Sequence, residues 1–513
     1  MTDTVQTTHG PVRGGGDGQV RWWKGIRYAA APVGPLRWRR PQPPAAWTEP
    51  ADATAFGPAP VQAHTPAIRL PEDVSLSEDC LTLNVWAGES IAPGERRPVV
   101  VWVHGGAYMF GSTSQPLYDG RSLAATGEIV LVTIGYRVGA MGFLDLSRFA
   151  DADESFEPNV GLHDIVAALR WVQHNIAAFG GDPDAVTLAG ESAGGGIVTT
   201  LMTAPSARGL FHRVIAESSP ATSVYDQDRA ERVTRHVLDE LHLSPTDIGR
   251  LRDMPAETLT AAAMSVFAST PASDPGTLAF TPIVDGDLIP EHPVDVFARG
   301  GANPVPLLIG TNRDETALFT MMKSPLMPVS PAAIQEMTAH LRAERPELSD
   351  IPTDAEIQAA YSGLRSKQRG PAISRDLGFR MPTLWVVEGH APVAPTFLYR
   401  FDWATPMLHL LGIGATHGTE LPYLWGNLVG GRKDITFTLG GLRTGRVLSA
   451  RIQARWIGFA TQTQPHAGED QAPWPAYTRD RRETLVIDKT DRVEPDLDAH
   501  LREAWGDEVL SFT

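Results

Sequence analysis

The pentapeptide Gly190-Glu191-Ser192-Ala193-Gly194 fits the pattern G-x-S-x-G. Glycines on either side of the serine allow a strained strand-to-helix turn that lifts the hydroxyl above a sheet. Alone, such a stretch is equally an ordinary flexible turn. Its surroundings favour a nucleophile, because Val186-Thr-Leu-Ala189 reads as a strand before it and a helix-compatible run starts at Ala193. The start of that helix would offer partial positive charge to a developing oxyanion. Upstream, His104-Gly105-Gly106-Ala107 closes another strand-like run. Small residues there let backbone N–H groups approach a tetrahedral oxyanion, which needs two or three convergent donors. His104 itself is read as orienting that loop rather than as a base.

A serine hydroxyl is a poor nucleophile until a base accepts its proton, and the base needs an orienting carboxylate. On a sheet of this kind the expected chain order is serine, acid, histidine, each on a loop after a strand. Gly310-Thr-Asn-Arg-Asp314-Glu315 follows the strand Pro306–Ile309 and supplies two carboxylates. Gly414-Ala-Thr-His417-Gly-Thr-Glu420 follows the strand Phe397–Phe401 and supplies a histidine among small residues. These patterns leave open the choice between Asp314 and Glu315, and between His417 and His409.

The elements that must position these groups alternate along the chain. Pro98–His104 and Ile129–Ile134 are short β-branched runs, as expected of buried strands. Gly161–Phe179 reads as a helix, with Ile165, Leu169, Val172 and Ile176 at helical spacing and Gly180-Gly181 as its stop. With Arg213–Ala216 continuing the series, the pattern predicts an α/β fold built on a mostly parallel sheet with both faces covered. Residues 1–60 are expected to form short strands and turns over this body. Residues 225–280 and 320–390 are expected to be helical insertions capping it, within one domain spanning 1–513.

The chain has 513 residues, 42% apolar, and a formal net charge of −16. An acidic balance without a basic block argues against nucleic acid or an anionic membrane as a partner. The longest apolar runs fall far short of a membrane span. The polar start, Met1 to Gly10, has no basic segment followed by an apolar one, so no signal peptide is expected. Cys80 is the single cysteine, so no intramolecular disulfide is possible, and a cytoplasmic location is expected. The oligomeric state is left open.

The ordered motifs resemble the type-B carboxylesterases, the carboxylesterase/cholinesterase branch of the α/β-hydrolase fold, and in particular their bacterial p-nitrobenzyl-esterase-like members. The resemblance runs nearly end to end. It includes Lys24–Ala29, Pro32–Trp38, Glu78–Trp86, His104–Tyr108, Tyr136–Leu144 and Asn159–Leu162. Most specific is Asn175-Ile-Ala-Ala-Phe-Gly-Gly-Asp-Pro183 leading into Gly190–Gly194, and Glu420–Gly426 and Trp474–Tyr477 follow. It implies a serine esterase with Ser192 as nucleophile, Glu315 as acid and His417 as base. It further implies an oxyanion hole from Gly106, Ala107 and Ala193, and pocket-tuning roles for Glu191 and Ser218. Arg37 with Glu78, and Arg137 with Asp164, match paired charges that hold shape. No metal or organic cofactor is implied, and the partner is a small-molecule ester.

The departures from the family are equally specific. Cys80 stands where many members have half of a disulfide, and its partner is absent. Gly135 replaces the usual Asn, Thr316 the usual Gly after the acid, and Glu217-Ser-Ser219 stands for Gln-Ser-Gly. Ile68–Glu72 lacks the Trp on which cholinesterases stack a quaternary ammonium, so choline esters are not the expected substrate. Phe319, Met321, Met322, Met407, Leu410 and Leu411 flank the acid and the base and are candidates for an apolar pocket. The same triad also suits a carbamate or aryl-amide hydrolase. A binding protein that keeps the fold without catalysis is the reading from another class, and the complete Ser192, Glu315 and His417 set speaks against it.

Overall fold

The computed structural model describes residues 4–66, 68–92, 94–150, 155–324, 326–348, 351–430, 434–466, 468 and 471–513. Residues 1–3, 325 and 349–350, which fall within segments read above, lie outside the described ones. The strands are β1 Thr4–Gln6, β2 Pro11–Arg13, β3 Gly15–Gly16, β4 Val20–Arg27, β5 Ala51–Asp52, β6 Thr82–Gly88 and β7 Arg97–Val103. They continue as β8 Val130–Ile134, β9 Gly181–Glu191, β10 Arg213–Glu217, β11 Leu307–Asn312, β12 Thr396–Phe401, β13 Glu483–Ile487 and β14 Arg492–Pro495.

One sheet of eleven strands runs β14-β13-β12-β11-β10-β9-β7-β8-β6-β4-β3, and β1, β2 and β5 form a small separate sheet. Pairing is parallel from β13 to β8. It is antiparallel at both margins. The expected parallel sheet is therefore its centre. Two expectations need correction. Residues 1–60 do more than overlie the body, since β4 enters the main sheet beside β6. β6 and β13 are strands where none was expected: Asn84, Ala87 and Gly88 interrupt the run in β6, and β13 is only five residues long between charged flanks.

The period of the central strands explains their burial. Along β7, Val99, Val101 and Val103 face one core with Ile165, Leu169 and Val172 of the helix Val160–Asn175. Val100 and Trp102 face a second core with Trp425 and Trp456. Successive side chains on a strand point to opposite faces, so a strand buried on both sides reads as a continuous apolar run. The helix gives way to a 3-10 turn, Ile176–Phe179, that ends at Gly180 with φ +85, a conformation glycine reaches without a steric penalty.

The insertions are helical as expected. Gln227–Glu240 and Ala256–Ser273 occupy the first. The second holds Pro331–Glu344, Asp354–Ala360 and Ser366–Arg375, followed by a π-helical turn Asp376–Arg380 and Met381–His390. That last helix is not a cap: Val386 and Val387 join the core of Leu307 and Ile309, so it is the crossover covering the sheet between β11 and β12. No helix among the described residues is long and apolar enough to cross a membrane.

Candidate active site

Ser192 lies between the last residue of β9 and the helix Ala193–Thr203, with φ 58 and ψ −125. A non-glycine residue persists there only when its surroundings enforce the strain. Two glycines make this possible. A Cβ on Gly194 would lie 2.1 Å from the Val103 carbonyl oxygen, and one on Gly190 would lie 2.6 Å from the Gly194 carbonyl. The turn is tied to the neighbouring strand by the Ser192 N–H, which donates to Glu217 O at 2.9 Å.

The imidazole of His417 spans the gap between serine and acid. Its Nε2 is 2.8 Å from Ser192 Oγ, and its Nδ1 is 2.7 Å from Glu315 Oε2. With Nδ1–H donating to the carboxylate, Nε2 is left to accept from the hydroxyl. Glu315 is fully buried, and its other oxygen accepts from Ser218 Oγ at 2.6 Å and from the Asn312 N–H at 2.7 Å. Asp314 instead accepts from the Ala415 N–H at 3.2 Å, and His409 is exposed at the end of its helix. His104 sits against the Gly105 carbonyl, 2.9 Å from its Nδ1, and stacks on Tyr136. Burial pulls its pKa down to about 4, so the ring is neutral and serves the loop.

The sheet register gathers further acids beneath His417. Glu191, Glu217, Gly310 and Tyr399 are successive partners across β9, β10, β11 and β12. A Cβ on Gly310 would lie 2.3 Å from Tyr399 Cδ1, so the phenol ring takes the place of a side chain there. Glu191 Oε1 is 3.2 Å from His417 Nε2. Glu217 accepts from the Trp456 Nε1–H at 2.8 Å, and Glu420 accepts from Asn312 Nδ2.

Burial raises Glu191 to about 7, opposed by His417 and reinforced by Glu315. Burial also raises Glu217 to about 8 against the Trp456 hydrogen bond, and holds Glu420 well above the usual carboxylate range. For His417 burial works downward, but Glu191, Glu315 and Glu420 outweigh it and hold the imidazole at about 9. The sequence reading assigned no role to Glu217, Glu420, Asn312 or Tyr399. Glu420 had a signal, three residues after His417 in a quoted motif. Asn312 and Glu217 also stand in quoted stretches, Gly310–Glu315 and Glu217-Ser-Ser219, and only Tyr399 is joined to the site by register alone.

The N–H groups of Gly106, Ala107 and Ala193 have no acceptor among the described residues. Ala107 and Ala193 line one cavity with Ser192. Of the candidates for its apolar wall only Phe319 lines it. Met321, Met322, Leu410 and Leu411 are 45–72% exposed instead, since they sit on the outer faces of short helices. Leu326, Met327, Met337 and Phe379, which lie in the capping insertion but were not among those candidates, also line it. Phe319 and Phe379 also flank the His417 ring, at centroid distances of 5.4 and 4.8 Å.

The paired charges lie away from this cavity. Arg137 reaches Asp164 at 2.8 and 2.7 Å, and Arg37 reaches Glu78 at 2.7 and 2.5 Å. Thr316 Oγ1 donates to Pro371 O at 2.7 Å, tying the acid loop to the helix Ser366–Arg375. Ser219 Oγ is 3.0 Å from Thr199 Oγ1. Cys80 is a buried free thiol. Among the described residues no group of three or more His, Cys, Asp or Glu is placed to hold a metal ion.

The carboxylesterase family model matches residues 1–505. A para-nitrobenzyl esterase of Bacillus subtilis (strain 168) is 37% identical over 511 residues, covering 98% of each chain. A cocaine esterase of Homo sapiens is 32% identical over 534 residues, covering 98% of this chain and 90% of its own. A solved PNB esterase superposes with a TM-score of 0.83 at 36% identity, over 99% of this chain and all of that one.

Proposed function

The chain belongs to the carboxylesterase family and is a carboxylic ester hydrolase of α/β-hydrolase fold, and from that premise we propose that Ser192, His417 and Glu315 carry its chemistry. The observation that carries this reading is the His417 imidazole between Ser192 Oγ at 2.8 Å and Glu315 Oε2 at 2.7 Å. Nε2 takes the hydroxyl proton as Oγ adds to the ester carbonyl, and Glu315 holds the imidazolium in register. The N–H groups of Gly106, Ala107 and Ala193 receive the oxyanion, and the Ala193 N–H adds the field of its helix start. His417 returns the proton to the leaving alcohol, so the acyl group remains on Ser192. Water then adds by the same route and releases the acid. Ser218 keeps Glu315 aimed by donating to Oε1, and Glu191 stabilises the imidazolium from the Nε2 side.

Residues 1–513 are read as one domain, with support from the family model spanning 1–505. A cytoplasmic location is proposed on the lone buried thiol, which suits a reducing compartment. The substrates are small-molecule esters. The test is Ser192→Ala, which should lower kcat on p-nitrophenyl butyrate at least about a thousandfold. An organophosphonate should add one adduct, on Ser192, and full turnover by the alanine variant overturns the assignment.

A further inference from the structure

Beside the catalytic cavity lies a second apolar cluster that is separate from the two cores of the sheet. It is built from Met337 and Leu341 of the helix Pro331–Glu344, Trp505 at the end of the helix Ala499–Trp505, and Leu510, with Phe512 packed against it. These same residues form one flank of the cavity that reaches Ser192. No Asp, Glu, Lys, Arg or His lines that cavity among the described residues. Gly276, at φ +86, leaves the space they fill: a Cβ there would lie 2.6 Å from Met337 Sδ and 3.4 Å from Phe512 Cε2.

Residues 510–513 belong to no helix or strand, so something else must hold Phe512 in place. Arg229 does so. Its side chain is 5% exposed, and Nε donates to Thr513 O at 2.9 Å. Nη1 donates to Asp274 at 3.3 Å and Nη2 to Glu344 at 2.5 Å. The guanidinium lies 5.0 Å from the Tyr225 ring, itself a lining residue, and 5.6 Å from Phe512. Arg345 adds a second tie, donating to the Ser511 carbonyl and hydroxyl at 3.2 and 3.1 Å. A planar fork with several fixed donors suits this joining of separate segments better than a point charge would.

We propose that Phe512, clasped by Arg229, is a specificity-determining residue: it closes an uncharged chamber that takes the larger apolar substituent of a neutral ester. The proposal rests on the reading of Ser192 as nucleophile. Within the chamber each buried methylene favours the ester about fourfold, until the chain meets the ring of Phe512. A charged terminus entering it loses water and meets hydroxyl groups but no opposite charge among the described lining residues.

The test is kcat/KM over two series, p-nitrophenyl esters of increasing acyl length and acetate esters of increasing alcohol length. Phe512→Ala should raise the ratio of long to short substrates at least fivefold in one series, and Phe512→Trp should lower it. Arg229→Gln, which releases the clasp, should follow Phe512→Ala. For the wild type, a terminal carboxylate on the longer arm should lower kcat/KM at least a hundredfold against the hydrocarbon of equal length. Unchanged ratios in both series for both Phe512 variants overturn the wall, and equal turnover of the charged ester overturns the substrate class. Organophosphonate titration of each variant keeps the two readings apart. Full labelling of Ser192 with unchanged ratios sinks only the chamber, whereas failure of the wild type to label sinks the nucleophile.

Discussion

Burial acts in opposite directions on the groups around Ser192, raising Glu191, Glu217 and Glu420 and lowering the imidazole of His417, and the charges then decide the outcome for the imidazole. His417 is held at about 9 because Glu191, Glu315 and Glu420 prevail over its desolvation. A base must be neutral to accept a proton, so kcat/KM should rise with pH toward a limb on the alkaline side of neutrality. Glu191→Gln removes a charge 3.2 Å from Nε2 and should move that limb to lower pH, by about one pH unit or more. The plateau rate should fall by up to about tenfold for each pH unit the limb moves, because the same charge stabilises the imidazolium during attack. A pH profile that stays in place would show that Glu191 is neutral in the free enzyme. At this scale the proposed nucleophile was legible from its glycines only together with the strand before them and the helix after them. The acid was not: Asp314 and Glu315 are adjacent, and only the path of the loop sends one inward and ties the other to Ala415.

The element that concentrates the local strain is the turn at Ser192. Gly194→Ala would place a methyl 2.1 Å from the Val103 carbonyl, a contact no rotamer relieves. It should reduce phosphonate labelling and turnover at least a hundredfold by displacing Oγ from His417, while circular dichroism keeps the sheet and helix signal. Normal labelling would sink this account. A second element-scale prediction concerns Arg137 and Asp164, which join the segment after β8 to the helix Val160–Asn175 and are 3% and 0% exposed. Asp164→Ala leaves a buried guanidinium unpaired and should destabilise the protein by about 3–5 kcal/mol in a urea titration. A loss under about 1 kcal/mol would mean that water replaces the carboxylate. β7 and β8 were legible because both faces are buried and the run is mostly β-branched. β4 and β6 were not, since their pairing lies at the antiparallel margin, where Trp22, Lys24, Thr82 and Asn84 carry no periodic signal.

Across the whole molecule the two cores of the sheet differ from the small cluster of the cap in size and in attachment. The cap cluster of Met337, Leu341, Tyr361 and Trp505 meets the rest through Met381 and Trp385 of the crossover helix, through Leu384 and Val509, which pack against both it and the larger core, and through the Arg229 clasp. Regions with fewer buried contacts open more readily. Amides of residues 331–348 and 499–513 should therefore exchange with deuterium well before those of β7 to β11, and a phosphonate on Ser192 should slow the former selectively. Uniform exchange across both regions would rule out this hierarchy. The row of partners from Glu191 through Glu217 and Gly310 to Tyr399 bears on recombination between this chain and its relatives. Strand side chains alternate faces with a period of two, so adding or deleting one residue within β9, β10 or β11 turns that row inside out. Crossovers in loops that carry none of Ser192, Glu315, His417 and the Gly106-Ala107 donors can exchange unequal lengths more readily. Crossovers inside these three strands must conserve the residue count, which makes strand length as strict a requirement of the proposed site as residue identity.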